Sequence, residues 1–193
     1  MSYLDEIIEF LNRHGSKKQF FPYYSKEDLN ANNEALKDLE IGDFYIAIKG
    51  GKIVGILATW DQNKFKQTVI AGYKGKTRLL KPLYNMYAKI GGWPQFPPSG
   101  TFLNVIYISF IAIEENNQDV FRVLLREAYN NNVGDRNAYI LVGLHSRDPL
   151  WKVVQEYAHL EYKGRLFIVC WEDGQEVYKS LDGRIPYLEL ATL

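Results

Sequence analysis

Apolar residues recur at helical spacing in the first stretch of the chain, where Leu4, Ile7, Ile8 and Leu11 stand at i, i+3, i+4 and i+7. His14-Gly15 supplies the stop. Ser25, three residues before Asp28, reads as an N-cap with an acidic first turn and predicts a second helix to about Leu39. The period then shortens to two. β-rich runs at 44–48 and 53–58 flank Gly50-Gly51 and predict a hairpin. Residues 66–71 form a third candidate strand. Residues 76–90 read as a helix in which Pro82 demands a kink or a start near residue 81. Gly91-Gly92-Trp93-Pro94, with Pro97-Pro98 behind, predicts a rigid aromatic loop.

The most apolar run is 102–113, read as one long strand. Leu103, Val105, Tyr107, Ser109, Ile111 and Ile113 alternate against Asn104, Ile106, Ile108, Phe110 and Ala112, and both sets are mostly apolar. Such a strand belongs at the centre of a sheet covered on both faces. A helix follows at 120–130 with Val120, Val123, Leu124 and Ala128 inward, then a polar loop at 130–137 and a strand at 138–144. Pro149 marks a helix at 150–158, and strands at 166–171 and 187–190 end the chain. The strand–helix–strand at 102–144 implies a right-handed parallel crossover, while the hairpins make the rest antiparallel. The expected fold is therefore α/β (α+β mixed): one domain over 1–193, with N-terminal helices in 1–40, a mixed central β-sheet with helices on both faces, and a helical, aromatic insert at 74–100.

This order from residue 44 onward resembles the GNAT N-acetyltransferase superfamily. Residues 44–55 are similar to its early hairpin, which carries an inward glycine, here Gly55. Residues 107–113 resemble its central strand, which ends beside the pantetheine of the cofactor, and residues 154–162 resemble its late helix, where a tyrosine often stands near the leaving thiolate. The resemblance implies acyl transfer from acetyl-CoA to a small-molecule or peptide amine. It implies Tyr157 as general acid, Glu114 as a base toward the amine, and a cofactor site at Ile111, Ile113, Asn117, Gln118 and Asp119. The family's Arg/Gln-x-x-Gly-x-Gly/Ala loop is missing: residues 114–122 contain no glycine, and Glu114, Glu115 and Asp119 put carboxylates where a pyrophosphate would sit. Acidic residues also stabilise a helix start, and Asn116 or Asn117 could cap it, so a helix without a cofactor explains the same residues. The alternative function is then a catalytically silent GNAT-like domain that binds a ligand or a protein. A third reading makes the chain one half of a tandem protein.

Composition narrows the partners. The 193 residues are 47% hydrophobic and 24% charged, in the range of globular chains, and no apolar run has the roughly 18 residues that span a bilayer. Lys plus Arg is 23 and Asp plus Glu is 23, so the chain as a whole draws neither nucleic acid nor an anionic membrane, although a local basic patch stays open. The expectation is no nucleic acid and no membrane. A single cysteine and an acidic N-terminus without a signal pattern point to the cytoplasm. Cys170 reads as an inert thiol in a buried strand. His145-Ser146-Arg147-Asp148 holds the residue types of a hydrolase triad, but neighbours in sequence rarely align so, and it reads as a turn. His14, His145 and His159 lack zinc spacing, so no metal is expected. The insert with Tyr84, Tyr87, Trp93 and Phe96 is either a cover for the sheet or a surface for a protein partner or a second copy.

Overall fold

A computed structural model describes residues 3–29, 33–93, 95–134 and 139–192. Helix α1 (Tyr3–Gly15) buries Ile7, Phe10 and Leu11, as its period requires. The hairpin of β1 (Phe44–Lys49) and β2 (Lys52–Asp61) turns on Gly50 and Gly51, whose φ of 58° and 75° place both central residues in the left-handed region. That turn matches the twist of the strands, and glycine enters it without a Cβ clash. There follow β3 (Thr68–Val69), α2 (Gly75–Gly91), β4 (Phe102–Leu103), β5 (Val105–Ile113), α3 (Gln118–Asn132), β6 (Tyr139–Val142), α4 (Trp151–Val154) and α5 (Gln175–Lys179).

The fold is mixed α/β. Its main sheet has the order β1-β2-β5-β6, with the first two pairings antiparallel and β5–β6 parallel across the α3 crossover. Every residue of β5 is buried, because it is central and has α1 on one face and α3 on the other. Gly55 lets α3 approach: a Cβ there would lie 2.5 Å from Val120 and 3.1 Å from Leu124.

The alternation of β5 breaks at Phe110. Between Ile56↔Ala112 and Ala58↔Ser109, β2 advances two residues while β5 advances three, and Phe110 takes a φ of 55°. This bulge reverses the parity of the strand. Val105 and Tyr107 face α1 together with Phe110 and Ala112, whereas Ile108, Ile111 and Ile113 face α3. The single alternation expected over 102–113 is corrected accordingly.

Other expectations are corrected for related reasons. Among the described residues of 25–39 no α-helix forms: Asp28 takes the backbone N–H and hydroxyl of Ser25 in a closed turn, and Glu34–Leu36 turns helically as a short 3-10 segment. Asn30, Ala31 and Asn32 lie outside the described residues. The strand expected at 66–71 shrinks to Thr68–Val69, paired with Phe102–Leu103 in a separate ribbon, which also splits the long strand. Helix α2 begins at Gly75 and contains Pro82, so the helix does not start near residue 81; Pro94 lies outside the described residues. On α3 the inward set is Phe121, Leu124, Leu125 and Ala128, with Val123 exposed, because the large Phe121 ring turns to the core. Asn137 and Ala138 lie outside the described residues. The helix expected at 150–158 stops after Trp151–Val154, and the strands at 166–171 and 187–190 are absent, so no hairpin closes the chain. A strand needs a hydrogen-bonded neighbour, and among the described residues 166–171 has none. Cys170 is therefore exposed, not buried.

Candidate functional site

Strands β5 and β6 pair only from Val105↔Tyr139 to Ile108↔Val142; beyond that, β5 continues for five residues without β6 beside it. The gap is occupied by the chain's own residues 185–192. Tyr187 joins the cluster on the α3 face, while Leu190 and Ala191 join the cluster on the α1 face, so this segment passes through the level of the sheet. On the far side of the gap, a Cβ on Gly143 would lie 2.7 Å from Leu190. The segment is anchored by Gln19, whose N–H donates to Ile185 O (3.0 Å) and whose carbonyl accepts from Tyr187 N–H (2.8 Å). Gln62 Nε2 donates to Ala191 O at 2.9 Å.

The polar centre of the gap is Glu189. Its Oε2 accepts the Phe110 N–H at 2.9 Å and the Tyr187 hydroxyl at 2.6 Å. Burial pushes the Glu189 carboxyl above its ordinary range, outweighing these hydrogen bonds, which act in the opposite direction. Burial also pushes the Tyr187 and Tyr24 phenols up, with the Glu189 charge adding to both. Tyr24 covers the same place, its ring 4.8 Å from that of Phe110. The arrangement joins a proton-holding carboxyl and phenol to a backbone donor freed by a strand bulge. Such a donor suits an oxygen ligand, and here Glu189 supplies the oxygen.

The residues singled out from the sequence fall in several surroundings. Ile111 and Ile113 are core side chains facing α3. Glu114 is partly exposed, and its charge acts on His14, whose pKa is nevertheless lowered by burial and by Lys17 and Arg13. Asn117, not Asn116, caps α3, accepting from the N–H groups of Asp119 (2.9 Å) and Val120 (3.3 Å). Gln118 Nε2 donates to Pro149 O at 3.3 Å. Asp119 pairs with Arg122, whose guanidinium also forks onto Glu156 at 2.7 and 2.6 Å. The donors at this helix start are thus met by the chain's own side chain, beneath a surface of paired charges. Tyr157 is half-buried after α4, its ring 5.9 Å from that of Tyr129. Among the described residues no hydrogen bond, ion pair or ring contact joins Tyr157 to Glu114 or to Phe110.

Sequence reasoning missed Phe110, Tyr187, Glu189 and Tyr24. One signal was present: Tyr187, Glu189 and Ala191 share a parity, and all three are buried. A lone carboxylate on the apolar side of an alternating run marks a buried charge that needs partners. The segment 145–148 is the turn expected, with Asp148 N–H donating to His145 O (2.8 Å) and Lys18 Nζ held by Asp148 at 2.7 Å. Among the described residues no group of three or more His, Cys, Asp or Glu could hold a metal ion, and no helix is long and apolar enough to cross a membrane.

The insert meets β6 at its start, where the Tyr139 hydroxyl donates to Gln95 O at 3.3 Å. Helix α2 carries its returning loop on one side: Asn85 exchanges hydrogen bonds with Phe96 (2.9 and 2.8 Å), and Tyr73 and Lys81 both donate to Pro97 O (2.8 and 2.6 Å). Only Ala88 of the helix is buried. Compared with protein-family models the sequence finds no match, and among curated proteins none matches it either.

Proposed function

We propose that this chain is a GNAT-like domain that carries out no acyl transfer and serves as a binding module, with the helix–loop insert at 74–100 as its binding element. One observation carries the reading: the place beside the second half of β5 is filled by Tyr187 and Glu189, and Glu189 already takes the Phe110 N–H. The self-capped start of α3 and its Asp119–Arg122–Glu156 cluster support it, since Asn117 already takes the Asp119 and Val120 N–H groups and two carboxylates already pair the Arg122 guanidinium. The likeness to the GNAT family rests on the strand order and the parting of β5 from β6. A cytoplasmic location accords with the single exposed thiol of Cys170.

A second reading, acyl transfer from acetyl-CoA to an amine, is favoured by the bulge donor at Phe110, and it requires residues 185–192 to leave the gap. Calorimetric titration with acetyl-CoA and with free CoA separates the two. No saturable heat at millimolar cofactor is expected. Saturable binding that Glu189→Ala strengthens would overturn the binding-module reading in favour of the enzyme.

A further inference from the structure

Residues 62–113 contain no Asp or Glu, yet hold Lys64, Lys66, Lys74, Lys76, Arg78, Lys81 and Lys89. Seven of the 23 cations thus fall in a stretch without a carboxylate, leaving sixteen cations against all 23 carboxylates elsewhere. Helix α2 lies in the middle of that stretch. At 3.6 residues per turn, Leu79, Leu80, Leu83, Met86, Tyr87 and Ile90 fall within about 120° of its surface, turned away from Lys81, Asn85 and Ala88, where the loop packs. All six are exposed, Leu79 and Ile90 to 79% and 80%. Trp93, exposed to 62%, stands just past the helix end.

We infer that this face of α2 docks on an anionic lipid bilayer, lying in the plane of the interface. The inference rests on the reading of α2 as the binding element and is independent of whether the gap beside β5 admits a cofactor. Charge complementarity selects the occupant, because α2 and its N-cap carry Lys74, Lys76, Arg78 and Lys89 outside the loop contact, and no acid. A second copy of the same helix would bring like charges together. Nucleic acid would satisfy the cations but leave the leucine, methionine and isoleucine side chains in water. An interfacial helix uses both: the aliphatic stripe enters the acyl boundary while lysines at either end extend to the headgroups. Tyr87 and Trp93 have the amphipathic rings suited to that depth. Whole-chain neutrality hides this patch.

The test is flotation of the full chain with phosphatidylcholine vesicles containing about 30% phosphatidylglycerol, beside vesicles of phosphatidylcholine alone, in about 0.1 M and about 0.5 M salt. Binding to the anionic vesicles is expected, weakened by salt and at least about tenfold tighter than to neutral ones. Leu83→Ser with Ile90→Ser should abolish it, and so should Lys76→Glu with Arg78→Glu, at an unchanged thermal midpoint that shows the fold intact. Lys76→Arg should retain it. Failure of the folded wild-type chain to float, equal binding to neutral vesicles, or binding that both double variants keep would overturn the inference. Retention on polyglutamate without flotation would also overturn it, and would leave α2 a binding element for an acidic protein.

Discussion

Gly55 is where β2 and α3 come closest, and the space beside it is already taken by Val120 and Leu124. Gly55→Ala should cost about 1–3 kcal/mol, since the added methyl forces α3 outward; the urea midpoint measures it, and an unchanged midpoint would mean that α3 is not seated there. Glu189 makes a different prediction. Its carboxyl holds a proton more tightly folded than unfolded, so from its ordinary 4.5 up to its raised value the folded chain binds more protons. Stability therefore falls as pH rises through that window. His14 acts with the opposite sign, its lowered pKa removing stability as pH falls through 6.5. Comparing wild type with Glu189→Gln cancels the histidine: the advantage of the glutamine variant should grow from pH 4.5 upward, and parallel pH profiles would show that Glu189 is solvated. The buried position of Glu189 was legible in its parity with Tyr187 and Ala191. Its partner, the Phe110 amide, was not, because an isolated apolar residue in a strand gives no sign of a left-handed φ.

Elements defined by their own residues were legible, and those defined by their neighbours were not. α1, the β1–β2 hairpin, β5, α2 and α3 each follow from a local period, a glycine turn or an asparagine cap. The run 166–171 has the same apolar character as β5, yet it lies exposed, with Phe167, Val169 and Trp171 all open to solvent. Strand propensity reports a side chain's fit to a sheet, and a sheet edge must be within reach for that fit to matter. The gap was not legible for the same reason: Tyr157, Glu114 and Asp119 are picked out along the sequence, while the gap is assembled by β5, β6 and a segment some eighty residues downstream of β5. Among the described residues, 160–170 make no backbone hydrogen bond. Limited trypsin digestion should therefore cut first after Lys163 or Arg165, at a rate insensitive to mild denaturant, as expected of sites open without unfolding. First cleavage within 44–61 or 105–132 would contradict the exposure of this segment.

At the scale of the molecule, equal totals of acid and base conceal a separation. The seven cations of 62–113 stand without a carboxylate among them, so the rest of the chain carries an excess of seven negative charges. This was legible from the order of charges, which a net charge of zero erases. The field near such a chain is not that of a neutral sphere: within a Debye length, about 10 Å at 0.1 M salt, a surface meets whichever patch faces it. Near pH 7, where the formal net charge is zero, the protein should therefore bind a cation exchanger through α2 and an anion exchanger through the opposite charges, each at low salt. Lys76→Glu with Arg78→Glu and Lys89→Glu should abolish retention on the cation exchanger and strengthen it on the anion exchanger. A chain with its charges evenly mixed would pass through both columns, and that elution would remove the electrostatic basis for a membrane-facing α2. Retention on the cation exchanger that survives all three substitutions would place the basic surface elsewhere than on α2.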